Sequence, residues 1–238
     1  MIYFIDGKKV DIKTEEKPFD KGSEGKIYKK GKYTYKIYYP RMLDESYGNK
    51  ENFHKFLLTI PTKQIILPKQ LIYTEKGEYI GYKAPYISGG RGKNTGITKL
   101  SSQEFIKNLQ ILEKDFNSLS QNHVLVADIT PMNYIFDKRK KTMTIIDPGR
   151  YRHHCLKENT QYQKFNDNQL KKLIELLLYI DFIEYKPIKS KRKIIELKHY
   201  IENLLKQKNI PYSEFFEKEL TNYENIEEYA KSLSKYIK

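Results

Sequence analysis

Apolar and polar positions alternate with a period of two through most of the first 87 residues. The β-prone runs IYFI, KIYK, YTYKIYY, IILPKQLIY and YIGYKAPYI are set apart by the turn signals DGKK, KGSEG, KKGK and EKGE. Such a pattern predicts short strands joined by tight turns. One interruption, residues 46–59 (SYGNKENFHKFLLT), reads as a helix, with Phe53, Phe56, Leu57 and Ile60 spaced to face a core. Residues 88–96, SGGRGKNTG, are the most Gly-rich segment and read as a linker.

Beyond the linker the period becomes helical. The run SSQEFIKNLQILEKDFNSLS opens with a capping box, Ser101 to Glu104, and carries Phe105, Leu109, Leu112 and Phe116 along one stripe. Two short strands, NYIFD and TMTIID, come next around a basic turn. A helix is predicted from Asn166–Asp167 through LKKLIELLLYIDF, then a basic loop at 186–193 (KPIKSKRK), then further helices over 194–238. The expected class is α+β: residues 1–87 form a small antiparallel β-rich lobe with one helix, and residues 88–238 form a mainly helical lobe.

Composition narrows the class. Of the 238 residues, 39% are apolar and 13% aromatic, too many for a disordered chain. Apolar runs such as LIELLLYI are too short and interrupted to span a bilayer, and MIYFIDGKKVDI lacks the marks of a signal peptide. The single Cys155 excludes an internal disulfide, so a cytoplasmic protein is expected. A net charge of +14 favours anionic partners, nucleotides and nucleic acid among them, without choosing between them.

Candidate chemistry lies at fixed points along this pattern. In FDKGSEGKIYK, Gly22 and Gly25 sit between two strand-like runs, where glycines let backbone N–H groups approach phosphate oxygens. Lys36 comes eleven residues later, inside YTYKIYY; Thr34 and Tyr38 flank it at two-residue spacing, so it need not face inward. Glu51, in the predicted helix, is the preferred partner for its ammonium, with Glu45 the other choice. Farther on, Asp128 and Asn133 stand five apart in the turn DITPMN, and Asp147 comes fourteen residues after Asn133, just before Pro-Gly. The hairpin can bring Asn133 and Asp147 to one end, where an amide oxygen and a carboxylate are hard ligands for Mg²⁺. Asp128 is then free to orient or deprotonate a hydroxyl. Taken singly, each of these residues also fits a turn cap or a strand terminator.

Their order resembles the protein kinase superfamily over residues 15–185, with DITPMN and DPG as its most specific part. The resemblance implies a two-lobed kinase-like fold that uses ATP and Mg²⁺. It makes Gly22, Ser23 and Gly25 the phosphate loop, with Ile27 beside it. It makes Lys36 the phosphate-gripping lysine with Glu51 as partner, Asp128 the catalytic base, and Asn133 and Asp147 the metal ligands. YKAPYISGG resembles the interlobe hinge, with Ala84 at the gatekeeper position and the Pro85 carbonyl and Ile87 N–H placed to serve adenine.

Departures from the family bear on substrate. Asp20 replaces the first loop glycine, Val126-Ala127 replaces the His-Arg pair before the catalytic Asp, Thr130 stands where a phosphate-contacting Lys is common, and Pro148 replaces Phe. Only seventeen residues, Arg150 to Asn166, lead from Gly149 into the predicted helix, with no Ala-Pro-Glu anchor. Arg150, Arg152, His153 and His154 in that run are suited to an anionic or polar acceptor, or to a solvated basic loop. The expected activity is transfer of the ATP γ-phosphate to a hydroxyl of a protein Ser/Thr or of a small molecule. The alternatives are a nucleotide-binding pseudokinase and a basic nucleic-acid-binding domain.

Overall fold

In a computed structural model, residues 2–14, 16–44, 49–91, 100–153, 155–185, 191–206 and 210–233 are described. The chain divides into two compact units. The first comprises residues 1–62, 66–87 and 147–149; the second comprises 63–65, 88–146 and 150–238. The architecture is α+β, with an antiparallel sheet in one unit and most of the helix in the other.

The first unit is built on seven strands: β1 (Ile2–Ile5), β2 (Lys8–Asp11), β3 (Asp20–Lys21), β4 (Gly25–Lys30), β5 (Tyr33–Tyr38), β6 (Gln70–Tyr73) and β7 (Tyr79–Pro85). They are ordered β2-β1-β6-β7-β5-β4-β3. The signal DGKK is itself a hairpin: Asp6 and Gly7 both adopt positive φ, and Ile5 pairs with Lys8 across a two-residue turn. From IILPKQLIY only QLIY enters the sheet, as β6. One face buries Tyr3, Ile5, Ile12, Tyr28, Tyr35 and Ile72; the other buries Tyr38, Leu71, Tyr82 and Ala84.

The predicted helix over 46–59 is shorter in the structure. A 3-10 turn, Pro40–Leu43, precedes α1 (Lys50–Leu57), and the Asn49 side chain caps α1 by accepting the Asn52 N–H. Phe53, Leu57 and Ile60 are buried as their spacing predicts, and Phe56 is half-buried. Glu45 lies outside the described residues.

In the second unit, α2 (Ser102–Gln121) starts at the expected capping box, and Phe105, Leu109, Leu112 and Phe116 are fully buried along it. Two polar residues beside that stripe organise the neighbouring chain. Asp115 accepts the N–H groups of Lys63, Gln64 and Ile65. Asn108 accepts from Gln64 Nε2 and the Met143 N–H and donates to Lys141 O. The predicted hairpin forms as β10 (Tyr134–Asp137) and β11 (Thr142–Ile145), after a short β9 (Val124–Leu125).

The linker reading holds only in part. Gly90–Arg91 form β8, paired with Ile135 and Phe136 of β10; the rest of 88–96, residues 92–96, lies outside the described residues. The cause is close packing: a Cβ on Gly89 would sit 2.2 Å from Phe136 O, so glycine lets the chain join a sheet here.

The later helices are α3 (Asn159–Tyr185), α4 (Lys191–Lys206), α5 (Tyr212–Glu219) and α6 (Ile226–Leu233). Residues 186–190 of the predicted basic loop lie outside the described residues, and Lys191–Lys193 begin α4. Helix α2 packs on α3 and α5, with Phe105 edge-on to Phe216 at 5.3 Å. No described helix is long and apolar enough to cross a membrane.

Buried in the first unit, His54 of α1 meets the Tyr79 hydroxyl at 2.6 Å and the Tyr38 hydroxyl at 3.4 Å. Burial, reinforced by Lys50 and Lys36, lowers its pKa from 6.5 to about 3. The unfolded chain therefore binds a proton below pH 6.5 that the folded chain refuses, and stability falls as pH drops from 6.5 towards 3. At pH 5 the loss from this residue is about 2 kcal/mol. Urea unfolding at pH 7 and pH 5 should show it in the native protein. In His54→Gln, which keeps a hydrogen-bonding side chain without the titration, the difference should shrink by that amount.

Candidate functional site

Lys36 lies in the middle of β5, opposite Ile27 on β4 and Tyr82 on β7. Cross-strand partners share a face, so this register puts Gly25, Ile27, Thr34, Lys36, Tyr38, Tyr82 and Ala84 on one side of the sheet. Lys36 does face inward: it is only 5% exposed, because its side is the Tyr38/Tyr82/Ala84 face and not an open edge. Neighbouring backbones come close enough to exclude side chains. A Cβ on Gly81 would sit 1.9 Å from Lys36 O, and one on Gly25 would sit 2.3 Å from Ile37 O. Around Gly22 there is open space, so sterics require glycine at the second loop position only.

The ammonium of Lys36 is held by two carboxylates, Asp147 Oδ1 at 2.5 Å and Glu24 Oε2 at 2.8 Å. Burial works against its charge, yet Asp147 and Glu24 outweigh that penalty and the pKa ends above the ordinary lysine value. The expected Glu51 pair is not what the structure contains. Glu51 bonds Lys55 one turn along α1, at 2.7 Å, and accepts the Tyr73 hydroxyl at 3.1 Å. Glu24, at the tip of the glycine loop, takes the place assigned to it. Its backbone is fixed as well: Tyr39 N–H donates to Glu24 O, and Gly22 N–H donates to Gly25 O. Ser23 stays exposed, its carbonyl accepting from Arg41.

Asp147 adopts positive φ (64°), and its Oδ1 also accepts the Gly149 N–H. Since Lys36 and Gly149 both address Oδ1, Oδ2 is left as a hard oxygen donor; the side chain is 34% exposed. The adjoining Pro148 is buried. Gly149 lacks a side chain where one would collide: a Cβ there would lie 2.0 Å from Glu24 Oε2 and 2.8 Å from Lys36 Nζ.

At the far end of β7, Tyr86 N–H donates to Lys32 O, and the Thr34 hydroxyl donates to Ala84 O. In an antiparallel ladder this leaves the Pro85 carbonyl turned away from β5. Ala84 is buried and Ile87 half-buried.

The second unit holds Asp128 and Asn133. Strand β9 pairs with β12 (Arg152–His153), and Asn166 locks both ends of the 124–126 segment: its Oδ1 accepts the Val126 N–H, while its Nδ2 donates to Val124 O and Ser120 Oγ. Asn166 is fully buried in the second turn of α3, a helix that starts seven residues before the predicted start at Asn166. Asp128 then takes φ 65°, and the turn closes through Asn133 N–H to Thr130 O at 3.0 Å. Asn133 Nδ2 donates to Asp128 O at 2.9 Å and to Asp128 Oδ2 at 3.0 Å. Two acceptors on one side fix the amide orientation and leave the Asn133 oxygen pointing elsewhere. Ile146, next before Asp147 in the chain, donates its N–H to Asn133 O.

Arg150 lies with its Nε 3.7 Å from Asp128 Oδ2, and Arg152 is exposed on β12; His154 lies outside the described residues. Among the described residues no cluster of three His, Cys, Asp or Glu could cage a metal. A Mg²⁺ ion carried by phosphates needs only one or two protein oxygens; Asp147 Oδ2 in the first unit and the Asn133 amide oxygen in the second are each hard donors of that kind. Sequence reasoning missed Glu24, Lys50, Gly81 and Asn166. The one local signal for Glu24 was an acid between two glycines, where a phosphate loop avoids negative charge.

No family model matches the chain, and no curated protein matches it. Among solved structures, the kinase PK-1 of Cydia pomonella granulovirus aligns at 21% identity over 63% of this chain, with a TM-score of 0.43. The alignment spans about half (52%) of the viral chain.

Glycine at 25 and 81 should be indispensable to the sheet, and glycine at 22 should not. Gly25→Ala and Gly81→Ala each force backbone apart and should cost about 2–4 kcal/mol; Gly22→Ala should cost less than about 1 kcal/mol. Guanidinium unfolding of the three variants checks this, and equal losses would contradict the close approach at β4, β5 and β7.

Proposed function

We propose that the chain is a protein kinase-like phosphotransferase that moves the γ-phosphate of ATP to a hydroxyl acceptor. The observation that carries this reading is the pairing of Lys36 with Asp147, residues 111 apart in sequence, at 2.5 Å. A buried cation on a strand, held by the aspartate of a DPG turn and sharing a sheet face with Gly25, Ile27 and Ala84, is what gripping a nucleotide phosphate beside an adenine requires.

In this reading Lys36 donates to the α- and β-phosphate oxygens, and the Pro85 carbonyl and Ile87 N–H meet the adenine edge. Asn133 and Asp147 would hold Mg²⁺, which when bound neutralises charge on the phosphate oxygens. Asp128 receives the proton of the acceptor hydroxyl. Asn133, through Nδ2, fixes the Asp128 carboxylate in the rotamer that serves this. Lys36 and Asp128 therefore contribute alignment and charge placement, from which most of the rate of a loose phosphoryl transfer comes. Arg150, beside Asp128, supplies positive charge where a polar or anionic acceptor would approach.

Transfer of label from γ-labelled ATP to a panel of proteins and small hydroxyl compounds tests the proposal. Wild-type protein should label at least one acceptor in Mg²⁺ and none in EDTA. Asp128→Asn should lower the rate about 10²–10⁴-fold, the range for removing a general base. Asp147→Asn should lower it through loss of the metal. If Mg²⁺–ATP raises the melting temperature without label moving, the chain binds nucleotide without transferring it. If ATP neither binds nor is consumed, the proposal is wrong.

A further inference from the structure

A second lysine converges on Glu24. Lys50, the first residue of α1, places its Nζ 3.5 Å from Glu24 Oε1 and 3.5 Å from Gly149 O, and its side chain is 11% exposed. The ammonium groups of Lys36 and Lys50 lie over the same Tyr38 ring, 5.2 and 5.0 Å from its centroid. One carboxylate thus bridges two nearly buried cations, one oxygen to each, above an aromatic floor.

Glu24 is an unusual choice for this position. Its loop neighbours Lys21, Gly22 and Ser23 are exposed, and a glutamate there would ordinarily stand in water. Instead its side chain is 12% exposed and fills the space that Gly149, lacking a Cβ, leaves open. A carboxylate offers two anionic oxygens to two cations, the same chemistry as a phosphate group. With Glu24 turned away, Lys36 and Lys50 would face one remaining carboxylate, Asp147, and the pocket would carry a surplus positive charge.

We propose that Lys36 and Lys50 form a two-lysine phosphate cradle whose resident anion in the ligand-free protein is Glu24, so that a polyphosphate binds by exchange with that carboxylate. Lys50 is then a second phosphate-contacting residue. The proposal rests on the nucleotide reading above for the ligand's identity, and on the lysine geometry for the cradle itself. Exchange needs only side-chain rotation, because the Glu24 backbone is pinned by Tyr39. The apparent affinity for phosphate is the intrinsic affinity reduced by the fraction of molecules with Glu24 turned out.

Calorimetric titration of the full chain with ATP, and separately with inorganic tripolyphosphate, tests this in wild type, Glu24→Gln and Lys50→Met. Glu24→Gln should tighten both ligands at least fivefold, and Lys50→Met should weaken both at least fivefold. Glu24→Asp keeps the charge but is one methylene too short to reach both lysines; it should tighten binding by a smaller factor, which keeps the test open if Glu24→Gln folds poorly. Unchanged or weaker binding in the Glu24 variants overturns the resident-anion role, and unchanged binding in Lys50→Met overturns the second lysine. If wild type binds ATP and all variants match it, the cradle fails while the nucleotide reading stands. If tripolyphosphate shows the expected pattern but ATP binds no better, the cradle stands and the nucleotide reading fails. If no form binds either ligand, both fail.

Discussion

A positive charge buried in a β-sheet is the constraint on which the first unit is organised. An ammonium removed from water and left unpaired would cost about 3–5 kcal/mol, comparable to much of a domain's net stability. Lys36 avoids that by drawing two carboxylates from distant parts of the chain, Glu24 from the loop before β4 and Asp147 from beyond β11. The geometry that admits them also dictates glycine: Gly81 lets β7 lie against the Lys36 carbonyl, and Gly149 leaves room for the Glu24 carboxylate. Three scattered sequence features, KGSEG, YIGYK and DPG, therefore answer to one electrostatic requirement.

The second unit solves a different problem, that of holding irregular backbone near buried surroundings. It does so with polar side chains projecting from helices. Asp115 satisfies three consecutive N–H groups at 63–65, and Asn108 bridges that segment to the β10–β11 hairpin. Asn166 does the same for 124–126, just before the Asp128 turn. Each of these is a buried polar group whose cost is offset by backbone partners. Together they hold these loops in defined positions where no long strand is present to do so.

How much of this is legible in the sequence depends on the range of the interactions. Strands β1, β4, β5 and β7, the α2 capping box and the β10–β11 hairpin all rest on local periodicity or turn chemistry, and they form where expected. Lys36 and Asp147 are identifiable as candidates because their spacing matches a family pattern. The lysine's partner is misread as Glu51 because a helix glutamate fifteen residues on looks suitable, whereas loop closure brings Glu24 nearer. The helix is expected from Asn166–Asp167, at the head of the apolar run LKKLIELLLYIDF; that α3 begins at Asn159 depends on tertiary packing that no periodicity records. The Gly-rich run at 88–96 reads as a linker because glycine signals flexibility and close approach alike, and for its first residues only the presence of Phe136 decides between them.

The left-handed backbone at Asp128 and Asp147 has an evolutionary consequence. Both positions hold non-glycine residues in a region costing of order 1 kcal/mol or more, and aspartate tolerates it no better than its neutral relatives do. A single base change converts Asp to Asn or Gly, either of which fits the same backbone at equal or lower strain. The backbone would therefore accept the loss of either acidic group, but at Asp147 that loss would leave the buried Lys36 ammonium with Glu24 alone. Backbone strain therefore does not favour aspartate at either position; what holds it is charge, the Lys36 ammonium at 147 and the Asn133 amide and Arg150 at 128.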